Sequence, residues 1–147
     1  MGLYFKKFLL SCLLLTLAFV MFSCTSKNSS KGNYSVYNLT KSEQMGYRSV
    51  SPVEAKRIMD SSENYIILDV RTEDEYRDLH IKDAILLPDY DIRRRAGDIL
   101  IDKEQAIFVY CRSGRRSKLA AQTLAEMGYT NVIEFGGIVK WPYEIEE

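Results

Sequence analysis

One cysteine stands beside three arginines in the segment Cys111-Arg112-Ser113-Gly114-Arg115-Arg116-Ser117. A hydrophobic run at 106–110 precedes this segment, and a helical pattern follows it from about 117 to 127. Strand, short loop and helix in that order direct backbone N–H groups and the positive end of a helix dipole toward the loop. Nearby cations and a helix N-terminus both lower the pKa of a thiol. The segment therefore predicts an activated thiolate, Cys111, in a cradle for an anion.

The chain as a whole has no excess of either charge. It has 147 residues, enough for one domain with a hydrophobic core. Its 20 Lys and Arg residues balance its 20 Asp and Glu residues, so the formal net charge is zero. A neutral chain has no general basic field for nucleic acid. The cations beside Cys111 are therefore a local feature, and no nucleic-acid partner is expected.

The N-terminus has the pattern of an export signal. Lys6 and Lys7 precede an apolar run at 8–22, and Ser23 and Cys24 follow it. A basic start, an apolar stretch and a small residue before cysteine resemble a bacterial lipoprotein signal. We expect cleavage before Cys24, which then carries the lipid. An uncleaved membrane anchor is the alternative, because the apolar run approaches the length of a membrane span.

These patterns divide the chain into three parts. Residues 1–23 are the predicted signal peptide of the lipoprotein type, and residues 24–45 are a flexible tether rich in Ser and Asn. Residues 46–147 form the folded domain. We therefore expect an exported protein of the cell envelope, anchored to a membrane by its lipid or by its uncleaved signal.

Cysteine usage sets Cys111 apart. Of the three cysteines, Cys12 lies inside the predicted signal and Cys24 is the predicted lipidation site. Exported domains normally pair their cysteines in disulfides, so one remaining thiol suggests a reactive group. With one histidine and one such thiol, no metal site is expected. No cofactor is implied.

Hydrophobic and helical patterns alternate along residues 46–147. Apolar runs predict five strands, at 47–50, 65–70, 84–87, 106–110 and 131–134. Capping signals and helical spacing predict helices between them, at 51–60, 72–78, 89–100 and 117–127. This alternation predicts an α/β fold, with a central parallel sheet of about five strands and helices on both faces. Ligands of such folds bind beyond the carboxyl ends of the strands, where Cys111 follows the fourth strand.

Four blocks of sequence stand in a set order along the domain. They are Leu68-Asp69-Val70-Arg71-Thr72-Glu73-Asp74-Glu75-Tyr76, His80-Ile81 with Ala84, the Cys111 segment, and Phe135-Gly136-Gly137-Ile138-Val139-Lys140-Trp141. In this order they resemble the rhodanese (sulfurtransferase) domain over about residues 49–143, which implies a rhodanese-like fold. Leu79 and Asp83 stand where that family has turn glycines, and Asp tolerates the left-handed conformation better than Leu does.

The resemblance implies a sulfurtransferase. The Cys111 thiolate attacks the outer (sulfane) sulfur of a donor such as thiosulfate, sulfite leaves, and a persulfide forms on Cys111. A thiophilic acceptor, cyanide or a thiol, then takes the sulfur, so the reaction is covalent catalysis in two half-reactions. The expected partners are therefore small-molecule sulfur donors (thiosulfate, a persulfide or a polysulfide) and small-molecule acceptors.

The departing sulfite needs donors aimed at an anion, and the loop offers backbone N–H groups and side chains for this role. The candidate substrate-binding residues are Arg112, Ser113, Gly114, Arg115 and Arg116. Arginine can bind oxyanions bidentately, but helical directions predict that not all three arginines point inward. Ser113 and Ser117 either donate hydrogen bonds to the ligand or cap the turn and the helix.

Residues outside the loop complete the candidate site. Asp69 and Arg71 follow the second predicted strand, and the family resemblance implies that they support the loop through polar contacts. An ion pair within the scaffold is the alternative for both. His80 is predicted to be a hydrogen-bonded scaffold residue, and Trp141 is predicted to pack in the core.

Other chemistries use similar residues. A phosphatase of the same fold needs Cys-x5-Arg, whereas Cys111 and Arg116 give Cys-x4-Arg, a shorter loop that favours a sulfane sulfur. A protein-bound sulfur carrier, or a binding module that keeps the fold, is compatible with the same residues. A thioredoxin-like reductase needs Cys-x-x-Cys, which the sequence lacks.

Overall fold

Five strands form one parallel sheet in the computed structural model, which describes residues 40–147. A separate two-stranded pair is antiparallel. The strands in chain order are β1 (Arg48–Ser49), β2 (Tyr65–Asp69), β3 (His80–Ile81), β4 (Ile85–Leu86), β5 (Ala106–Cys111), β6 (Val132–Gly137) and β7 (Ile145–Glu146). The main sheet has the order β1-β6-β5-β2-β4, and β3 pairs with β7. The predicted parallel sheet of five strands is confirmed, and the β3–β7 pair is an addition to it.

Helices connect the strands and cover the sheet. They are α1 (Lys41–Gln44), α2 (Pro52–Asp60), α3 (Glu73–Asp78), α4 (Ile92–Ile99) and α5 (Arg115–Glu126), with 3₁₀ turns at Asp89–Asp91 and Ile138–Lys140. The helix predicted at 89–100 is divided between a 3₁₀ turn and α4. Helix α5 begins at Arg115, inside the cysteine segment, rather than at Ser117.

Two hydrophobic clusters lie on opposite faces of the sheet, because successive side chains of an inner strand alternate between two apolar faces. Along β5, Ile107, Val109 and Cys111 belong to one cluster, which includes residues of α4 and α5. Phe108 and Tyr110 belong to the other, which includes residues of α2. Helices therefore cover both faces, and Cys111 is on the face that carries α4 and α5.

The two residues at family glycine positions differ in their backbone conformation. Asp83 has a φ of 62°, a left-handed conformation that aspartate adopts more readily than most residues. Leu79 is extended, with a φ of −169°, so this position does not require glycine. The turn therefore forms with both residues in place.

His80 and Trp141 make contacts of a structural kind. The ring of His80 stacks on Tyr76 with the ring centroids 3.9 Å apart, and its Nδ1 lies 3.0 Å from the Tyr76 carbonyl oxygen. Trp141 is partly buried against the cluster on the α2 face. Both residues therefore belong to the scaffold.

The predicted signal at 1–23, the lipidation site Cys24 and the tether as far as residue 39 lie outside the described residues. Helix α1 falls within the range 24–45 predicted as a tether, and Thr40 begins this helix with a capping box. Within residues 40–147, no helix is both long enough and apolar enough to cross a membrane.

Candidate active site

Cys111 is the last residue of β5, and the loop after it leads directly into α5. Gly114 caps α5 with a φ of 103°, a conformation that glycine adopts without the strain caused by a Cβ. This turn directs the Gly114 N–H at the cysteine, and its nitrogen lies 3.1 Å from Cys111 Sγ. Cys111 is 1% exposed, so the sulfur lies inside the loop rather than on its surface.

The pKa of the Cys111 thiol is lower than that of an ordinary cysteine. Burial alone would raise it, but hydrogen bonds outweigh burial. These come from the backbone and hydroxyl of Ser117 and from the backbones of Gly114 and Ser113. Dipoles at the positive end of α5, rather than the neighbouring arginine charges, are therefore the main stabilisation of the thiolate.

Arg116 forms a bidentate ion pair with Glu75 of α3. The Nη1–Oε2 and Nη2–Oε1 distances are both 2.7 Å. The guanidinium lowers the pKa of the Glu75 carboxyl to about 2, and the same carboxylate closes the capping box with Thr72. Arg116 therefore links α5 to α3.

Arg112, Ser113 and Arg115 are exposed. Arg112 borders an open cavity of about 300 Å³ beside the loop, whose lining also includes Arg71 and Val139. These three loop residues are therefore placed where they can meet an anion that arrives from solvent.

Asp69 and Arg71 form a buried ion pair at the end of β2. Arg71 Nη2 lies 2.6 Å from Asp69 Oδ2, and the side chains are 4% and 0% exposed. Tyr110, next to Cys111, donates its hydroxyl to Asp69 Oδ2 at 2.6 Å and accepts the Ile81 N–H at 3.1 Å. Burial is the main reason that the pKa of Tyr110 is raised, so the hydroxyl remains a donor. The ion pair therefore reaches the end of β5 through Tyr110, a link that sequence analysis did not identify.

A buried carboxylate, Glu134 of β6, contacts the loop through Ser117. Its Oε1 accepts the Ser117 hydroxyl and the Gly136 N–H, both at 2.8 Å, and its Oε2 accepts the Ser49 hydroxyl at 2.6 Å. Ser117 Oγ in turn lies 3.7 Å from Cys111 Sγ. Sequence analysis did not identify Glu134, although a charged residue inside an apolar strand was an available signal.

Gly137 allows β6 to pass directly beneath the loop. A Cβ at this position would lie 2.2 Å from the Arg112 carbonyl oxygen, which only a glycine avoids. The Val139 N–H bonds to the same carbonyl at 3.4 Å. The glycine pair at the end of β6 therefore supports the backbone of the cysteine loop.

Comparison with known proteins gives consistent matches. The model of the rhodanese-like domain family matches residues 51–143. The thiosulfate sulfurtransferase PspE of Escherichia coli K12 is 38% identical over 71 residues, which cover 48% of this chain and 68% of that protein. The putative sulfur carrier protein YrkF of Bacillus subtilis is 37% identical over 78 residues, which cover 53% of this chain and 41% of that protein.

A solved structure agrees with these matches. The structure described as rhodanese with anions from E. coli has a TM-score of 0.54 and 32% identity. It covers 56% of this chain and 98% of its own chain. The residues matched by the family model contain the whole cysteine loop and the strands that hold it, so this chain belongs to the rhodanese-like domain family. Relatives named thiosulfate sulfurtransferase, from Escherichia coli and Coxiella burnetii, agree with the sulfurtransferase class expected from the sequence.

Proposed function

We propose that the protein moves a sulfane sulfur from thiosulfate, or from a persulfide or polysulfide, to a thiophilic acceptor such as cyanide or a thiol. The observation that carries the proposal is the 3.1 Å contact between the Gly114 nitrogen and Cys111 Sγ. This contact joins a nucleophilic thiolate to the N-terminus of a helix, a position that also favours an anionic substrate.

The first half-reaction begins with Cys111 as a thiolate. Its sulfur attacks the outer sulfur of thiosulfate, the S–S bond of thiosulfate breaks, and the electron pair of that bond leaves with sulfite. The outer sulfur stays on Cys111 as a persulfide anion. The acceptor then attacks this outer sulfur, and the electron pair of the persulfide bond returns to Cys111 as the thiolate.

The departing sulfite is bound at the exposed side of the loop. Arg112 and Arg115 supply guanidinium groups that can bind an oxyanion bidentately, and Ser113 supplies a hydroxyl. Arg116 acts indirectly. Its guanidinium is paired with Glu75 and holds the start of α5 in place, so it does not bind the anion. Asp69 and Arg71 support the strand that carries Cys111.

Intact mass measured before and after addition of thiosulfate tests the proposal, with Cys111→Ser as the matched control. We expect a gain equal to one sulfur atom in the wild type, because the persulfide retains the outer sulfur of the donor. Cyanide should remove this gain and release thiocyanate, and Cys111→Ser should show no gain. A wild type that gains no sulfur from thiosulfate or from polysulfide would contradict the proposal.

A protein-bound sulfur carrier is the second candidate, because one relative is named a putative sulfur carrier protein. Both functions use the same Cys111 persulfide and differ in the acceptor. An enzyme turns over repeatedly with a small acceptor, whereas a carrier loads once and releases its sulfur to a partner protein. Many equivalents of thiocyanate per protein molecule would favour the enzyme, and retention of the persulfide in cyanide would favour the carrier.

We further propose that the protein is exported and held at a membrane of the cell envelope, through a lipid on Cys24 or through an uncleaved signal. The basic start, the apolar run at 8–22 and the small residue before Cys24 support this. Labelled palmitate should enter the wild type but not Cys24→Ser. Membrane-bound protein without label would favour the uncleaved signal, and protein found only in the cytosol would contradict export.

A further inference from the structure

The carboxylate of Glu134 has no part in the two half-reactions, yet it lies two hydrogen bonds from Cys111. Glu134 is 1% exposed, and no ion pair among residues 40–147 includes it. Its partners are neutral donors, the Ser49 and Ser117 hydroxyls and the Gly136 N–H. A buried negative charge held only by neutral dipoles opposes the formation of a second negative charge nearby.

Ser117 connects the carboxylate to the thiol. A hydroxyl has one proton and two lone pairs, and the nearest acceptor to Ser117 Oγ is Glu134 Oε1 at 2.8 Å. The carbonyl oxygens of Gly114 and Gly136 are farther away, at 3.1 and 3.2 Å. When Ser117 donates to Glu134, it keeps a lone pair for the Cys111 S–H, whose sulfur is 3.7 Å away. The three groups then form one hydrogen-bonded chain from Sγ to Oε1.

We propose that Glu134 is a positioning residue that takes up the proton of Cys111 through Ser117. The S–H proton moves to Ser117 Oγ while the Ser117 proton moves to Glu134 Oε1. One S–H bond and one O–H bond break, two O–H bonds form, and the electron pair of the S–H bond stays on Sγ. The product is a Cys111 thiolate that accepts a hydrogen bond from Ser117, beside a neutral Glu134 carboxyl.

This transfer keeps the buried site at one negative charge. If Cys111 and Glu134 were both ionised, each would favour protonation of the other. Within residues 40–147, the titratable groups with a recorded link to Glu134 are Cys111, through Ser117 of α5, and Tyr47, which precedes β1. Burial and the charge of Glu134 raise the pKa of Tyr47, so Tyr47 stays neutral where thiols and carboxyls titrate. The hydrogen-bonded chain through Ser117 therefore limits the proposed transfer to Cys111 and Glu134.

The importance of Glu134 for catalysis rests on the proposed function. The experiment measures only the reactivity of the Cys111 thiol, so its result does not depend on that function. The rate of alkylation by iodoacetamide is measured against pH in the full chain, at Cys111, by peptide mass spectrometry. The thiolate is the reactive form, so this rate reports its fraction. Two sites that share a proton titrate as a pair, so we expect a partial plateau and then a second rise. A single step in the wild type would overturn the inference.

Glu134→Gln removes the proton acceptor and its charge while keeping the size of the side chain. We expect one step in place of two, about one pH unit or more below the second step of the wild type, because no neighbouring charge then opposes the thiolate. Glu54→Gln removes a carboxylate that is 42% exposed on α2 and should leave the two steps unchanged. A Glu134→Gln profile identical to the wild type would overturn the inference.

Ser49→Ala tests the opposite side of the carboxyl and leaves the link to Cys111 intact. It removes the 2.6 Å hydrogen bond to Glu134 Oε2. A carboxylate that loses a donor binds its proton more tightly, so the plateau of partial reactivity should rise several-fold. If Glu134 had only a structural role, the reactivity at the plateau would not rise. An unchanged plateau would therefore count against the proton transfer.

Failure of the proposed function has a different signature. If thiosulfate and polysulfide leave no sulfur on Cys111 while the alkylation profile keeps its two steps, the sulfurtransferase proposal fails and the proton transfer stands. If sulfur loading proceeds while the profile has a single step, the reaction stands and Glu134 has no part in it.

Discussion

The thiol of Cys111 is stabilised by neutral groups that belong to its own loop. The Gly114 nitrogen lies 3.1 Å from the sulfur, and Ser117 and Ser113 add further hydrogen bonds. These donors are fixed by the turn into α5, so the thiolate needs no rearrangement to form. The thiolate therefore does not depend on the exposed arginines, Arg112 and Arg115, to which the proposed function assigns the anion.

Tyr110, next to Cys111, is expected to contribute to the stability of the fold. Tyr110→Phe should lower the free energy of unfolding by about 1–3 kcal/mol, because Asp69 Oδ2 and the Ile81 N–H each lose a buried partner. Urea unfolding measures the loss. Tyr90 is 65% exposed and donates to Glu73, so Tyr90→Phe should change stability by less than about 0.5 kcal/mol. Equal losses for the two variants would contradict this account of Tyr110.

Replacement of Gly137 should also have a severe effect, in this case on activity. In Gly137→Ala the new methyl group would stand 2.2 Å from the Arg112 carbonyl oxygen, so the loop must shift. A shift of this size should reduce sulfur transfer by about 100-fold, measured as thiocyanate formation. Gly97→Ala is the control, because nothing lies within 4 Å of a Cβ there. It should keep full activity and gain about 0.5–1 kcal/mol of stability in α4.

Sequence analysis singled out the contiguous residues of the candidate site and missed the residues that contact them from other strands. Cys111 and its loop are neighbours in the chain, so their spacing alone brings them together. Glu134 reaches the loop from β6, and its position depends on the register that pairs Cys111 with Gly137 across the sheet. Local hydrophobic patterns do not determine such a register. Tyr110 was missed for the same reason, since Asp69 lies on the neighbouring strand.

At the scale of elements, one carboxylate joins α3 to α5. Glu75 closes the capping box with Thr72 and also binds Arg116, 41 residues away in the chain. The capping box was predictable from local sequence, whereas the contact with Arg116 was not. The start of α5, which follows the cysteine loop, is therefore tied to the start of α3.

This link has a definite pH dependence. The folded pKa of Glu75, about 2, lies below the ordinary value of 4.5, so its stabilisation is present above pH 4.5 and is lost as the pH falls toward 2. Glu75→Gln should therefore lower the free energy of unfolding by about 1–2 kcal/mol at neutral pH. The difference from the wild type should shrink over this acidic range in denaturant titrations. Glu54→Gln, which breaks an exposed pair with Arg57, should cost less than about 0.5 kcal/mol. A difference that persists at the lowest pH would contradict the assignment.

Sequence analysis placed all five strands of the main sheet, including the two-residue strands β1 and β4. The inner strands β2 and β5 are continuous apolar runs, and α2 begins where its Ser51 cap predicts. Strands β3 and β7 were missed, because no apolar run marks them and they pair only with each other, outside the main sheet. Their existence depends on tertiary pairing between distant parts of the chain.

At the scale of the whole molecule, β6 completes the main sheet although it follows β1 by a long stretch of chain. Strand β6 lies between β1 and β5, and it pairs Arg48 with Ile133. It also supplies residues to the hydrophobic clusters on both faces. The hydrophobic clusters on both faces of the sheet therefore depend on β6.

Shortening the chain tests this dependence. A chain that ends at Thr130 lacks β6 and should show no cooperative transition in urea, because β1 loses its neighbour and both clusters lose residues. A chain that ends at Tyr143 lacks only β7 and should stay folded, with a cooperative transition followed by circular dichroism. A cooperative transition in the chain that ends at Thr130 would contradict this account.

The place of β6 also sets an order of events while the protein is being made. The ribosome delivers β1 well before β6, so β1 has no partner in the main sheet until β6 has been synthesised. Until then the Gly137 support and the Glu134 carboxylate are absent from the Cys111 loop. The support that β6 gives to the Cys111 loop therefore forms only after β6 has been synthesised, long after β1.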